Sequence, residues 1–197
     1  MKKKTLVFTA TYNEFENIQN FITTVHNNNP EVDILIIDDN SPDKTYELVE
    51  DLKKKINNIF LIKRSHKLGL DTAHKEAYEF ALANKYDYLI TMDADLSHDP
   101  KEISNFVKYL ENHEFVIGSR YIEGGECLMS KKRLTISKYG NLFIKLILNL
   151  NCNEFTTSYR GFNISKLNDF NLDAVKNKGY SFFMGTVFEL AKRDFEI

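Results

Sequence analysis

Five short apolar runs, each followed by a segment of different periodicity, constrain this chain more than any other feature. TLVFTA (5–10), VDILIID (32–38), NIFLIKR (58–64), YDYLITMD (86–93) and EFVIGSR (114–120) have the length and β-branched or aromatic content of buried strands. FENIQNFITTVHNN (15–28), residues 43–55, LDTAHKEAYEFALAN (70–84) and PKEISNFVKYLEN (100–112) instead repeat apolar side chains at helical spacing. Asn40, Ser41 and Asp43 offer N-cap chemistry to the second of these helices, and Pro100 opens the fourth. Strand–helix alternation of this kind predicts an α/β fold, a mostly parallel sheet with helices on both faces. After residue 125 the rhythm changes to a long helix over 131–150, a strand at TTSYRGFNI (156–164) and a helix at GTVFELAKR (185–193). No internal repeat or low-complexity linker divides the 197 residues, which suffice for one core, so a single domain over 1–197 is expected.

Composition excludes several classes. A formal net charge of −2 gives no bulk electrostatic case for nucleic acid or an anionic surface. The opening MKKKTLVFTA has too short an apolar stretch for a secretory signal and reads as a first core strand with a basic overhang. No apolar run approaches the roughly 18 residues of a membrane span. Cys127 and Cys152 stand alone, without a CxxC or a histidine at ligand spacing, as reduced thiols of a cytoplasmic protein would.

In a parallel sheet, ligands gather beyond the carboxyl ends of the strands. That rule predicts TYNE (11–14), DDNSPD (38–43), DADLSHD (93–99) and GSRY (118–121) on one rim. Each could be a plain turn, but four polar loops on one rim are less easily dismissed. Asp38, Asp39, Asp93 and Asp95 are expected to repel one another unless a cation lies among them. Oxygen ligands of that kind suit Mg²⁺ or Mn²⁺ shared with a diphosphate. Arg120, Lys131, Lys132, Arg133 and Arg160 could neutralise phosphate oxygens. Gly118, Gly124 and Gly125 would allow a mobile loop between the two sets. Residues 141–150 are apolar nearly all round, which predicts a helix buried in the domain; the functional alternative is an interfacial helix lying on a bilayer.

TYNEFENI, DDNSPDKT, MDADLSHDP, GSRYIEGG, KKRLTISKYGN and TTSYRGF occur here in the order seen in family 2 glycosyltransferases. The chain resembles their dolichol-phosphate (polyprenol-phosphate) mannosyltransferase branch from Thr5 to about Glu189. The first three motifs are shared widely in the family; DADLSHDP, GSRY and SYRGF point more narrowly at that branch. The resemblance implies a GT-A fold and an inverting, metal-dependent transfer of a sugar, mannose from GDP-mannose, to a polyprenyl or dolichyl phosphate.

Carried over by position, Thr11, Tyr12 and Glu14 would hold the nucleoside and Asp39 the base or ribose. Asp93 and Asp95 would bind the cation and diphosphate, with Ser97 as a further polar ligand. Arg120, Arg133 and Ser137 would face the acceptor phosphate, and SYRGF with Arg160 would line the acceptor side. Asp95, Arg120 and Arg133 would carry catalysis. A phosphate acceptor is already ionised near neutral pH and needs positioning rather than a general base; Glu189 and Asp99 remain open as bases. The implied partners are a nucleotide-diphosphate sugar, a polyprenyl phosphate and a peripheral membrane contact or membrane partner on the cytoplasmic face.

The chain departs from the branch in ending at DFEI, where members usually continue, so it is expected to be short at the C-terminus. It also has Asn40 where glycine is commoner, in a turn whose left-handed backbone asparagine tolerates. The alternatives are a family 2 enzyme with a hydroxyl acceptor or a non-catalytic nucleotide-sugar binder. A phosphohydrolase is disfavoured because its DxD follows the first strand, and an oxidoreductase because no GxGxxG is present.

Overall fold

The computed structural model describes residues 3–121, 131–148, 150, 152–167 and 170–196, with the backbone alone at 131–134 and 148. Gly124, Gly125 and Cys127 lie outside the described residues, as do the side chains of Lys131, Lys132 and Arg133. The strands are β1 (Thr5–Thr11), β2 (Asp33–Asp38), β3 (Ile59–Lys63), β4 (Tyr88–Thr91), β5 (Phe115–Ile117) and β6 (Arg160–Asn163). The helices are α1 (Phe15–Asn28), α2 (Thr45–Lys53), α3 (Leu70–Ala83), α4 (Ile103–Leu110), α5 (Lys131–Leu148) and α6 (Ser181–Ala191). A 3₁₀ turn over Pro100–Glu102 leads into α4.

The six strands form one sheet in the order β3-β2-β1-β4-β6-β5. The first four are parallel, as the alternation predicts. Alternating residues divide the core between two faces. Leu6, Phe8, Leu35 and Ile37 pack with Ala73, Ala77 and Tyr78 of α3 and Phe182 and Phe183 of α6. Val7, Ile34 and Ile36 pack with Ile18, Phe21 and Val25 of α1 and Phe106 and Leu110 of α4. A period of two in the strands thus dictates helices on both sides.

One element departs from the simple reading. β6 runs antiparallel between β4 and β5, pairing Thr91 with Arg160 on one side and Ile117 with Arg160 on the other. The chain therefore enters β6 from the rim where β4 ends, bringing residues 154–159 over the DADLSHD loop. The strand is also shorter than 156–164, and in the stretch before it the side chains of Thr156, Thr157 and Ser158 bond to Arg120 and to the DADLSHD loop. Glycine is required at position 161: a Cβ there would lie 2.9 Å from both Phe106 and Leu110 of α4.

A second departure concerns 141–150. The helix is not buried; it shows solvent Ile136, Tyr139, Leu142, Phe143, Leu146 and Ile147, each between 49% and 73% exposed. Among its described side chains Asn141 alone is fully buried, with Ser137, Ile144 and Lys145 partly so.

Candidate active site

The rim at the carboxyl ends of β1, β2 and β4 collects the first three polar loops. At the β1–β2 junction the two aspartates are satisfied internally, which corrects the expectation that they need a cation. Asp38 accepts from Thr11 Oγ1 at 2.8 Å and from the Ser41 amide and hydroxyl at 2.9 and 2.6 Å. Asp39 accepts from Arg64 Nη1 at 2.8 Å and from the Gly69 amide at 2.9 Å. Arg64 also binds Glu76 Oε2 at 2.7 Å and Thr72 Oγ1 at 2.9 Å, so a buried guanidinium compensates the buried Asp39. Arg64 and Glu76 are absent from the sequence expectation; the only signal was a charge ending the third apolar run. Gly69, at φ +96°, supplies the turn that lets its amide reach Asp39. Asn40 has φ +59°, the left-handed geometry expected of it.

Thr11 is thereby committed to Asp38. Glu14 accepts from Asn17 Nδ2 at 2.7 Å, and Asp43, rather than a residue at the cap itself, accepts the amides of Thr45 and Phe15 at 3.0 Å each. Tyr12 is exposed, with the Lys67 ammonium 3.6 Å from its ring centroid. The Lys67 ammonium thus lies over one face of the exposed Tyr12 ring.

At the end of β4 the carboxylates behave differently. Asp93 Oδ1 accepts from Ser158 Oγ at 2.6 Å, and Asp95 Oδ1 accepts from the Ser97 amide at 2.9 Å. Among the described residues no hydrogen bond reaches the second oxygen of either, although His98 Nε2 lies 3.8 Å from Asp93 Oδ2. The Asp93 side chain is 48% exposed, and Asp95 and Ser97 are exposed. No group of three histidine, cysteine or acidic side chains converges here into a closed cage among the described residues. Asp93 and Asp95, half-satisfied and open to the rim, could hold a hard divalent cation such as Mg²⁺ or Mn²⁺. Asp99 caps the 3₁₀ turn, its Oδ1 accepting from the Lys101 amide at 2.9 Å. Burial lowers the His98 pKa despite the neighbouring Asp93 and Asp95 carboxylates, which pull it upward.

The remaining residues gather around segment 154–160. Arg120 donates through Nε to Glu154 Oε2 at 2.9 Å and through Nη2 to Thr156 Oγ1 at 3.1 Å, with Nη2 also 2.9 Å from Glu154 Oε2 in an ion pair. Glu154 is 1% exposed, while Arg120 remains partly open toward solvent. Ser137 of α5 shares a 2.5 Å hydrogen bond with the Tyr121 hydroxyl. Asn141, one turn on, accepts the Phe155 amide at 2.8 Å, so α5 and the GSRY loop are fastened to the same segment. Glu154 carried no pattern a sequence could reveal; Asn141, Thr157 and Ser158 fall within the KKRLTISKYGN and TTSYRGF motifs, which gave them no individual task. Arg133 lies one helical turn before Ser137, its side chain outside the described residues.

Arg160 must be moved. It is 1% exposed, and its guanidinium donates to three backbone carbonyls, of Thr157, Phe183 and Phe155, at 2.8, 2.8 and 3.0 Å. It faces the interior, over the rings of Phe183 and Phe115, and lines no acceptor surface. Burial draws its pKa down to about 9, so it stays charged at neutral pH. It joins the approach to β6 with the first turn of α6.

Comparisons with known proteins agree with this geometry. The sequence model of Glycosyl transferase family 2 matches residues 6–170. A polyprenol monophosphomannose synthase of Mycolicibacterium smegmatis is 33% identical over 99% of this chain and 75% of its own length. An undecaprenyl-phosphate mannosyltransferase of Micrococcus luteus is 32% identical over 96% of this chain and 78% of its own. Among solved structures, S. aureus TarS 1-349 superposes with a TM-score of 0.62 at 15% identity, covering 94% of this chain and 54% of that one. The mannosyltransferase PcManGT from Pyrobaculum calidifontis, in complex with GDP-Man and Mn²⁺, gives 0.58 at 15% identity over 85% of this chain and 46% of its own. The chain thus spans about half the length of these structures, whose likeness extends to the fold.

Proposed function

The chain belongs to glycosyl transferase family 2, and from that premise we propose that it moves mannose from GDP-mannose to a polyprenyl phosphate with inversion. One observation carries the reading. The half-satisfied carboxylates Asp93 and Asp95 open on the same rim as Arg120 and Ser137, in a chain a third identical to two enzymes named for such a transfer.

In this reading Tyr12 and Lys67 stack and flank the nucleoside, with Thr11, Glu14 and Asp39 forming the pocket floor. Asp93 and Asp95, with Ser97 beside them, would hold Mg²⁺ or Mn²⁺. When bound, the cation supplies positive charge to the departing diphosphate. Arg120, Arg133 and Ser137 hold the acceptor phosphate so that its oxygen attacks the anomeric carbon opposite the leaving group. The new C–O bond forms as the sugar–diphosphate bond breaks, and the oxocarbenium character of the transition state rewards charge stabilisation at both ends. An ionised phosphate needs no deprotonation, and Arg120 is held ready by Glu154 without being consumed by it.

The lipid acceptor requires contact with a bilayer, and α5 is the element suited to it. No described helix is long and apolar enough to cross a membrane. α5 instead combines six exposed apolar side chains with Lys131, Lys132, Arg133, Lys138 and Lys145 and no acidic residue. It carries Ser137, so a helix lying in the interface would bring the acceptor side of the site to the headgroups.

The test is sugar transfer from a panel of GDP- and UDP-sugars to a short-chain polyprenyl phosphate, with Mn²⁺, Mg²⁺ or EDTA. Metal-dependent formation of a mannosyl lipid phosphate from GDP-mannose is the expected result. Transfer only to a hydroxyl acceptor, with a general-base limb in the pH profile, would replace the proposed acceptor.

A further inference from the structure

The loop carrying Asp93 and Asp95 is held from outside its own strand. The β1–β4 ladder ends where the Met92 amide donates to the Phe8 carbonyl at 2.9 Å. The next amide, that of Asp93, turns away from the sheet and donates to Nδ1 of His98 at 3.1 Å. A ring nitrogen that accepts a backbone N–H carries no hydrogen of its own. The neutral imidazole therefore bears its hydrogen on Nε2, which lies 3.3 Å from Thr157 Oγ1 and 3.8 Å from Asp93 Oδ2, beyond hydrogen-bond reach of that oxygen.

The ring is also clamped between planes. His98 lies against Tyr159 with centroids 4.8 Å apart and 17° between the rings, and Tyr159 lies against Phe106 of α4 at 4.3 Å and 26°. The Tyr159 hydroxyl donates to the Asp99 carbonyl at 2.9 Å, and Ser158 Oγ to Asp93 Oδ1 at 2.6 Å. Three consecutive residues before β6 thus fasten the loop at Asp93, His98 and Asp99.

We propose that His98 and Ser158 are positioning residues for the cation site: His98 fixes the Asp93 backbone through Nδ1, Ser158 fixes one carboxylate oxygen, and the other oxygen is left presented to the ion. The inference rests on the reading of Asp93 and Asp95 as cation ligands and assigns what holds one of them. Residues that orient a metal ligand through its other hydrogen bonds commonly control affinity as strongly as the ligand's own geometry does.

Three variants separate the hydrogen bonds from simple packing. His98→Phe keeps a ring against Tyr159 and loses the acceptor. His98→Asn keeps an acceptor oxygen near the place of Nδ1 and loses the ring. Ser158→Ala removes the donor to Asp93. Mn²⁺ binding is read by electron paramagnetic resonance with GDP or UDP present and no acceptor, and a thermal melt without metal confirms that each variant is folded.

His98→Phe and Ser158→Ala are expected to weaken Mn²⁺ binding by about tenfold or more, while His98→Asn stays within about threefold of wild type. Wild-type-like Mn²⁺ affinity in His98→Phe, with Asp95→Ala binding none, would overturn the positioning role and leave the cation reading standing. His98→Asn losing as much as His98→Phe would also overturn it, since packing would then be what matters. If the wild-type protein gives no saturable Mn²⁺ signal with either nucleotide, the cation reading falls and the positioning role falls with it.

Discussion

Replacing Arg160 with methionine should destabilise the protein far more than its place beside the functional motifs suggests. The guanidinium makes three charge-assisted hydrogen bonds to backbone carbonyls, at 2.8, 2.8 and 3.0 Å, in a site 1% exposed. Bonds to a charged donor contribute about 1.5–3 kcal/mol each, so their loss removes roughly 4.5–9 kcal/mol before relaxation. Methionine recovers part of this, because a buried cation without a bonded carboxylate carries a desolvation penalty of several kcal/mol. The net cost expected is about 3–4 kcal/mol, a large share of the roughly 5–15 kcal/mol that holds a domain together. At about 2–4 °C per kcal/mol for a chain of this size, Tm falls by roughly 6–16 °C. Urea unfolding followed by far-ultraviolet circular dichroism measures it directly, the chain having no tryptophan for fluorescence. Arg160→Lys, which keeps the charge but not the three-way reach, should fall between the two. A loss below about 1 kcal/mol for Arg160→Met would refute the view that this residue ties the approach to β6 to α6.

Asp95→Ala is expected to abolish sugar transfer while leaving Tm near wild type, because the side chain is exposed and bonds only within its own turn; near-normal turnover in a folded variant would remove the cation argument. His74 is packed among Phe8, Phe182 and Phe183, and burial, aided by the Arg160 charge, lowers its pKa from 6.5 to about 3. Its folded pKa lies below its unfolded one, so its contribution is intact above about pH 6.5 and is lost as pH falls toward 3, at about 1.4 kcal/mol per pH unit. Comparing urea midpoints at neutral pH and near pH 4.5, His74→Phe should show a smaller acid-induced loss than wild type, and equal losses would rule His74 out as the cause. On α5, the double change Phe143→Glu and Leu146→Glu should cut sedimentation with anionic lipid vesicles about tenfold or more without lowering Tm, since both side chains are largely in solvent; unchanged vesicle binding would exclude this helix as the docking surface.

The succession of β1 to β4 along the chain, their parallel direction and the rim they create were legible in the sequence alone, whereas their order in the sheet, β3-β2-β1-β4, was not. Hydrophobic periodicity is local, and a parallel pair joined through a helix leaves little freedom in where the loops emerge. DADLSHDP was readable for the same reason: polar residues directly after a buried strand must lie at its carboxyl end.

What only the tertiary structure decided concerns partners distant in sequence. Asp38 and Asp39 read like Asp93 and Asp95, yet Arg64, Ser41 and Thr11 satisfy the first pair, while each of the second keeps one oxygen without a hydrogen bond among the described residues. Arg160 looked like a phosphate ligand, but β6 inserts antiparallel between β4 and β5 and turns it inward. The apolar face of α5 gives the same pattern as a core helix and differs in being exposed among the described residues. A charge or an apolar side chain has its consequence fixed by what surrounds it, and those surroundings come from segments as far apart as Asp93 and Ser158.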